Sequence, residues 1–140
     1  TPNVLPDDIE TGSHTVLNTD KVLYAGYFAR VADEVYQPWV GRVESFFRQM
    51  NEASRRVEAN YYVTRLKLTL DKDGNVHVIQ IVKGSGIEGL DEASKQAIWD
   101  REPFPHPPEQ LVDEDGWVRL HYEFQVELKD LGFSILPWKT

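Results

Sequence analysis

The chain has no cysteine among its 140 residues. That absence excludes a disulfide framework, a thiolate metal site and a cysteine nucleophile. Long apolar runs are also missing, and none approaches the roughly 20 residues that a helix needs to cross a bilayer. No signal peptide is visible, and since the first residue is Thr1 rather than Met, we interpret the sequence as a processed chain or an excised domain.

Basic charge is scarce, because 15 lysines and arginines stand against 23 aspartates and glutamates, for a net charge of −8. Only residues 41–70 carry a basic excess, whereas residues 1–40 and 71–140 are acidic. An acidic chain repels the phosphates of nucleic acids, so the charge balance argues against a nucleic-acid partner. Apolar residues still make up 41% of the chain, which is enough for the core of one soluble domain.

Signals of catalysis and of metal binding are weak. A metal site needs convergent ligands, but the histidines lie far apart on different predicted elements, at His14, His77, His106 and His121. The Gly-Ser-Gly at residues 84–86 lacks the extra residue on each side of the serine that a nucleophile elbow has. The acidic residues 113–115 lack the spacing of a calcium loop. We therefore predict that the chain is not an enzyme and holds no metal or cofactor.

A long amphipathic helix is predicted first, after a cap at Thr19 or Asp20. Apolar residues then recur at steps of four, with one step of three, at Leu23, Tyr27, Val31, Val35, Trp39, Val43, Phe46 and Met50. Pro38 lies inside this stripe, so either the helix kinks near Tyr36 or two helices meet at Gln37-Pro38. Because the stripe resumes in phase, we favour one kinked helix.

Three strands and a second helix follow. Residues 62–70 and 117–128 alternate apolar and polar side chains, as half-buried strands do. Residues 71–75 form a predicted turn, and residues 76–82 a strand whose broken alternation indicates a bulge or burial on both faces. A helical stripe follows at Leu90, Ala93, Ala97 and Ile98. The prolines after it end that helix, and Phe104 among them is a predicted core residue.

The predicted order is therefore helix, strand, strand, helix, strand. Since polar side chains on two strands leave one face of the sheet in water, both helices must cover the other face. We predict an α+β, two-layer domain with a mainly antiparallel three-stranded sheet covered on one face by helices. Residues 1–18 are interpreted as a linker or arm, residues 19–128 as the domain, and residues 129–140 as a tail that is either an extra strand or a loose end.

Several motifs resemble the C-terminal domain of TonB-type energy transducers of Gram-negative bacteria. In order, they are LKLTLDKDGNV at residues 66–76, VKGSG at 82–86, LDEA at 90–93, PFPHPP at 103–108 and the final strand over 118–126. The resemblance covers about residues 60–128. The chain departs from the family where Gly84 replaces the first of two serines. The family's Gln-Pro-x-Tyr-Pro motif is not found, so no partner-contact residue is carried over from it.

The resemblance implies a periplasmic domain that is tethered to the inner membrane through an N-terminal anchor and driven there by a proton-powered motor complex. Such domains bind a short N-terminal segment of an outer-membrane transporter and pull on it. An extended segment can add to an exposed strand edge, where backbone hydrogen bonds supply affinity and alternate side chains supply selectivity.

From the alternation together with the resemblance, we predict that the final strand provides this edge. The predicted partner-binding residues are Val118, Arg119, Leu120, His121, Tyr122, Glu123, Phe124, Gln125, Val126, Glu127 and Leu128. The polar side chains at the odd positions would tune which segment fits. In an alternative arrangement, tail residues 133–136 fold back onto this edge, or swap into a second copy and form a homodimer.

Two other functions stay open. A TolA-like envelope-scaffold domain shares the element order and would bind periplasmic proteins, although the motifs fit TonB better. A small hydrolase is disfavoured, because a nucleophile motif, cysteine and a metal cluster are missing. Trp39 and Trp99 are expected in the core or between the helices, whereas Trp117 and Trp138 flank the final strand, where a partner surface is the alternative to packing.

Overall fold

The long first helix, α1, spans Thr15–Gln49 and begins earlier than the predicted cap. The computed structural model describes residues 15–50, 60–130 and 132–137. Pro38 lies inside α1, which runs through it as one helix. Val35 and Trp39 are buried on either side of the proline, and this packing offsets the hydrogen bond that Pro38 cannot donate.

Four strands form one antiparallel sheet in the order β2-β1-β3-β4. They are β1 (Tyr61–Leu70), β2 (Val76–Lys83), β3 (Val118–Glu127) and β4 (Gly132–Pro137). β1 and β3 form the centre of the sheet and are joined by ten consecutive residue pairs. The predicted α+β fold with an antiparallel sheet is confirmed. The sheet has four strands rather than three, because part of the predicted tail pairs with β3.

The broken alternation of β2 comes from its pairing with β1, whose register shifts at two points. At one of them Val76 pairs with Leu70 but Val78 pairs with Thr69, which leaves His77 as an extra residue. An extra residue of this kind is a β-bulge, and it reverses the side-chain alternation of the strand. The predicted bulge is therefore confirmed.

The second helix, α2 (Glu88–Arg101), packs beside α1 over the same face of the sheet. The two helices bury the alternate residues that β1 and β3 present on this face, namely Leu66, Leu68, Leu70, Val118, Leu120, Tyr122, Phe124 and Val126. Tyr122 donates its hydroxyl to the Phe28 carbonyl at 2.7 Å, which ties the centre of the sheet to α1. Arg42 and Asp100 join the two helices through an ion pair at 2.6 Å.

One carboxylate closes the loop between β2 and α2. Asp91, in the first turn of α2, accepts hydrogen bonds from the Thr64 hydroxyl at 2.7 Å and from the Ser85 N–H at 2.9 Å. Its second oxygen lies so near Gly84 that a Cβ there would approach it to 2.8 Å. The helix dipole also favours an anion at this position. The Gly-Ser-Gly and Leu-Asp-Glu-Ala motifs thus form one structural unit that fixes α2 against β1.

The proline-rich stretch after α2 returns to the turn between β1 and β2. Phe104 is 3% exposed, which confirms it as a core residue, and its N–H donates to the Gly74 carbonyl at 2.9 Å. Gly74 has a φ of +94°, and a Cβ there would overlap the carbonyl oxygen of Phe104. Glu102 accepts a hydrogen bond from the Val76 N–H at 3.1 Å. These contacts attach the start of β2 to the end of α2.

Candidate functional site

Strand β3, which carries the predicted partner-binding edge, has a neighbour on each side. It pairs with β1 along its whole length, and on its other side residues 122–127 pair with β4. This part of β3 is therefore an inner strand rather than the expected outermost one, because the tail has folded back onto it. Residues 118–121 lie beyond the described end of β4. The role of residues 118–128 in binding a partner stays a prediction.

The last residue of the predicted edge, Leu128, lies just after β3. Its N–H donates to the Asn60 carbonyl at 2.8 Å, at the start of β1. The contact extends the pairing of β3 with β1 by one step. Leu128 therefore faces the centre of the sheet through its backbone, and not the β4 side.

β4 is held by few contacts compared with the strands at the centre. The Phe133 ring meets Trp39 edge-on, with ring centroids 5.7 Å apart, and its carbonyl accepts a hydrogen bond from the Tyr36 hydroxyl at 3.3 Å. The Ile135 side chain lies over the helices opposite Phe124. No residue of β4 is fully buried, and Leu136 is 43% exposed. β4 thus covers the edge of β3 without becoming part of the deep core.

A narrow apolar cleft lies beneath β4, where the strand meets α1 and α2. It is too tight to admit a water molecule, and Ile135 forms one of its walls. The other walls include Val31, Ala32, Ile98 and Phe124. These side chains are apolar, and the hydroxyl of Tyr122, which also lines the cleft, already donates to the Phe28 carbonyl, so a polar side chain that enters finds few hydrogen-bond partners.

The polar side chains on the outer face of β3 are largely engaged with their neighbours. Arg119 binds Asp113 and Asp115, each at 2.6 Å, and the hydrogen bonds to these carboxylates raise the pKa of Arg119. Glu123 binds Arg65 at 2.8 Å. Burial raises the pKa of Glu123, but the hydrogen bonds from Arg65 and Gln125 outweigh it, so that the pKa is lowered overall. Arg119 and Glu123 therefore form ion pairs within the domain.

His121 and Glu127 complete the outer face of β3. His121 pairs with Lys67 across the sheet, and burial, aided by the charge of Lys67, lowers the pKa of the His121 imidazole. Glu127 lies opposite Gly132 of β4, and a Cβ at Gly132 would lie 3.3 Å from the Glu127 carboxylate. Glu127 is thus a predicted selectivity residue whose carboxylate lies beside the position that β4 occupies.

The opposite flank of the sheet is formed by β2. Val78 is 51% exposed and Val82 is also exposed, so this strand presents apolar side chains to solvent. Its bulges, however, interrupt the regular backbone ladder that an added strand needs. β2 is therefore a poorer template for strand addition than the regular β3–β4 side.

The histidines and tryptophans singled out by the sequence do not form a common site. Within the described residues, no group of three or more side chains could hold a metal ion. His77 contacts Asp71 at 2.9 Å and packs against Trp117, with ring centroids 4.7 Å apart. Trp39 is a core residue as predicted, whereas Trp99 is exposed on α2, which is a correction. Trp99 lies on the face of α2 that does not pack against the core. His14 and Trp138 lie outside the described residues.

The family model described as "TonB C terminal" matches residues 24–121 of this chain. A solved structure entitled "The structure of HasB CTD" is 23% identical, covers 76% of this chain and 77% of its own, and has a TM-score of 0.37. Among curated proteins, no sequence matches this chain. In the part of the chain that the structure describes, none of the helices combines the length and apolar character of a membrane span.

Proposed function

Because this chain belongs to the family of TonB C-terminal domains, we propose that it binds the N-terminal segment of outer-membrane TonB-dependent transporters by strand addition and transmits a pull to them. The family is a non-enzymatic transducer domain, so membership implies a role in energy transduction. In this proposal the domain works in the periplasm. An N-terminal anchor connects it to a proton-driven motor complex in the inner membrane.

The observation that carries the proposal is the difference in burial between β3 and β4. Alternate side chains of β3 are buried in the core, whereas none of the described residues of β4 is fully buried. An incoming segment that replaces β4 would restore the same kind of backbone hydrogen bonds to β3, so the exchange needs little net loss of pairing. By contrast, separating β3 from β1 would break ten pairs at once.

The backbone of β3 directs suitable groups toward the β4 side. In an antiparallel sheet, alternate residues direct both their N–H and their C=O to the same neighbour. Since the Leu128 N–H bonds to β1, every second residue before it also faces β1. Glu123, Gln125 and Glu127 therefore face β4, and they would supply hydrogen bonds to a strand in its place.

The surroundings of β3 also suit a strand that must bear load. A pull on an added strand would pass to β3, which ten residue pairs join to β1. The Tyr122–Phe28 hydrogen bond and the packing of Trp39 on Phe124, with ring centroids 5.0 Å apart, connect β3 to α1. The load would thus reach the whole core rather than one loop.

A disulfide that locks β4 in place tests the exchange. Gln125 and Ser134 pair across β3 and β4, and such a pair has a Cα separation of about 5.5 Å, within the range that a disulfide spans. The chain has no cysteine of its own, so Gln125→Cys with Ser134→Cys gives a single possible bridge. A matched control locks the opposite flank through Lys67→Cys with Gln80→Cys, which pair across β1 and β2.

Each double variant is titrated with a transporter-derived N-terminal peptide, and amide shifts are followed by NMR. We expect the oxidised β3–β4 lock to abolish binding, its reduced form to restore binding, and the control lock to bind in both forms. Undiminished binding to the oxidised β3–β4 lock would show that the peptide adds elsewhere. A pull-down from cell envelopes with the reduced protein then separates partner classes, because a TolA-like scaffold would capture soluble periplasmic proteins instead of β-barrel transporters.

A further inference from the structure

The groove that β4 fills favours particular side chains. This inference rests on the strand exchange proposed above, because it specifies which segments can take the place of β4. We propose that the groove selects an extended segment with an aromatic residue, then a small polar residue, then a branched aliphatic residue. The chain's own Phe133-Ser134-Ile135 is the occupant that reveals this pattern. The aromatic and aliphatic side chains point toward the helices, whereas the residue between them points away.

The aromatic position is defined by rings of the core. Phe133 meets Trp39 at 5.7 Å with an interplanar angle of 89°, which is the edge-to-face geometry that aromatic pairs prefer. Trp39 is itself held edge-on against Phe124, so it cannot turn away to suit another occupant. An aliphatic side chain in this place would lose the ring contact.

Next to this position, Tyr36 supplies a contact that any sequence can use. Its hydroxyl donates to the Phe133 carbonyl at 3.3 Å, and that carbonyl faces away from β3. A backbone carbonyl at the same place in another segment would receive the same hydrogen bond. Tyr36 is therefore an anchor for the backbone, whereas Trp39 reads the side chain.

The aliphatic position is the apolar cleft that Ile135 covers. Its walls are apolar side chains of α1, α2 and β3, among them Val31, Ala32 and Ile98. A polar side chain would find few hydrogen-bond partners there, which disfavours it strongly. Ala32 is the smallest of these side chains, so we expect it to set how large a side chain can pack at the Ile135 position.

The β4 residues whose side chains point away from the helices restrict the bound sequence less. Ser134 lies opposite Gln125, and Gly132 lies opposite Glu127. Because a Cβ at Gly132 would come within 3.3 Å of the Glu127 carboxylate, this position accepts glycine, or a side chain that makes Glu127 shift. The pattern is therefore specified by the two inward positions and only restricted by the outward ones.

Two peptides of identical composition test the pattern on the full chain. The first is acetyl-Gly-Phe-Ser-Ile-Leu-Pro-amide, and the second exchanges serine and isoleucine, which removes the aromatic-polar-aliphatic order. A full chain with Ile135→Ala, whose own tail fits less well, lowers the competition from β4. NMR shifts at residues 122–127 and release of β4 report binding, and the oxidised Gln125→Cys with Ser134→Cys form is the negative control.

We expect the first peptide to bind at least roughly tenfold more tightly than the second. Equal affinities, with β4 released by both, would overturn the side-chain selection and leave the strand exchange standing. If neither peptide, nor a transporter-derived segment, releases β4, the exchange itself fails and the selection fails with it.

A substitution in the cleft distinguishes side-chain selection from non-specific hydrophobic binding. Ala32→Leu places a larger side chain against the aliphatic position and leaves less room for isoleucine there, so the preference for the isoleucine peptide over one with alanine should fall by roughly tenfold. Ala29→Leu, on the same helix but not in the wall of the cleft, is the matched control and should keep the ratio. An unchanged ratio in a folded Ala32→Leu protein would overturn the assignment of the cleft.

Discussion

The two flanks of the sheet, β2 and β4, are both outer strands among the described residues, yet they are attached in different ways. β2 begins at the turn clamped by Phe104 and Glu102, and the loop after it is closed by Asp91. β4 is attached mainly by the packing of Phe133 and Ile135 on the helices and by its pairing with β3. Only one side-chain hydrogen bond to the strand's backbone, from Tyr36, joins it to the described part of α1.

This difference means that β2 is attached at both ends, whereas β4 is the strand that is released in the proposed function. Hydrogen bonds at both ends of β2 must break together before that strand can detach. For β4, the loss of two partly buried side chains and six residue pairs is compensated as soon as another strand takes their place. Most of the motifs that resemble the family lie in or beside the first flank, whereas the proposed function involves the second.

The largest expected effect is on the β2 flank, from Gly74→Ala. Its φ of +94° already disfavours a side chain, and the new Cβ would overlap the Phe104 carbonyl, so the turn must separate from the proline-rich stretch. We expect the free energy of unfolding to fall by about 3 kcal/mol or more, measured by urea denaturation. Gly116→Ala is the matched control, because Gly116 has a φ of +90° but nothing within 4 Å of the new Cβ.

The control should lose only about 1–2 kcal/mol, the cost of the backbone conformation alone. Equal losses in the two variants would mean that the contact between Gly74 and Phe104 does not clamp the turn. The attachment of β2 would then depend on the Glu102–Val76 hydrogen bond and on the bonds of Asp91, and β2 would differ less from β4 in its attachment.

The sequence alone predicts the β2 flank well, because its signals are local. The turn glycine, the broken alternation of β2 and the burial of Phe104 all follow from neighbouring residues, and the structure confirms them. The start of α1 was misplaced, since the described helix includes residues before the predicted cap. Phe28 was missed because it lies one position off the stripe of four-residue steps, although Tyr122 and α1 bury it fully.

The β4 flank was harder to predict, because its signal is tertiary. Residues 133–136 are too short a run to distinguish a strand from a loose end, and the decision depends on Trp39 and the cleft, which lie far away in sequence. For the same reason, alternation identified β3 as a strand but could not show whether its β4 side was occupied. The pattern of apolar and polar residues therefore predicted the fold, but it could not predict that β4 pairs with β3 at the candidate site.

Hydrogen exchange gives the next largest effect, without any substitution. Amides of β4 that bond to β3 should open with a free energy at least about 2 kcal/mol lower than those between β1 and β3, which corresponds to roughly 30-fold less protection. Amides of β2 that bond to β1 should lie between these extremes. Equal protection of β4 and the β1–β3 pair would show that β4 opens only on global unfolding, which contradicts a releasable flank.

Ile135→Ala should weaken the β4 flank selectively. The side chain is only partly buried, so we expect a loss of about 1–2 kcal/mol, less than for a fully buried isoleucine. Because the loss applies to β4 opening, affinity for an added strand should rise by roughly tenfold. Leu136→Ala, at an exposed position of the same strand, should change both quantities within about 0.5 kcal/mol. A rise in affinity for both variants would mean that any truncation in β4 destabilises the strand, and would contradict a specific role for Ile135.

The smallest effect concerns acid and the turn that begins β2. The hydrogen bond from His77 is the main cause that holds the pKa of Asp71 below its ordinary value of 3.8; burial opposes it, and bonds from the Asn75 and Asp73 N–H groups add to it. A lowered carboxyl pKa stabilises the fold at pH values above the unfolded pKa, and this contribution is lost as pH falls through the folded value.

Amides of β2 should therefore lose protection below about pH 4, while those of β4 change less, so acid narrows the difference between the flanks. Asp71→Asn should remove this dependence, so that its stability deficit against the native chain is largest near neutral pH and shrinks in acid. Asp73→Asn removes a charge from the same turn but leaves the Asp71 bonds in place, and should keep the dependence. If Asp71→Asn and the native chain show the same acid profile by hydrogen exchange, the Asp71 carboxylate does not hold β2 in place, and the contacts of Gly74 with Phe104 and of Val76 with Glu102 hold this turn.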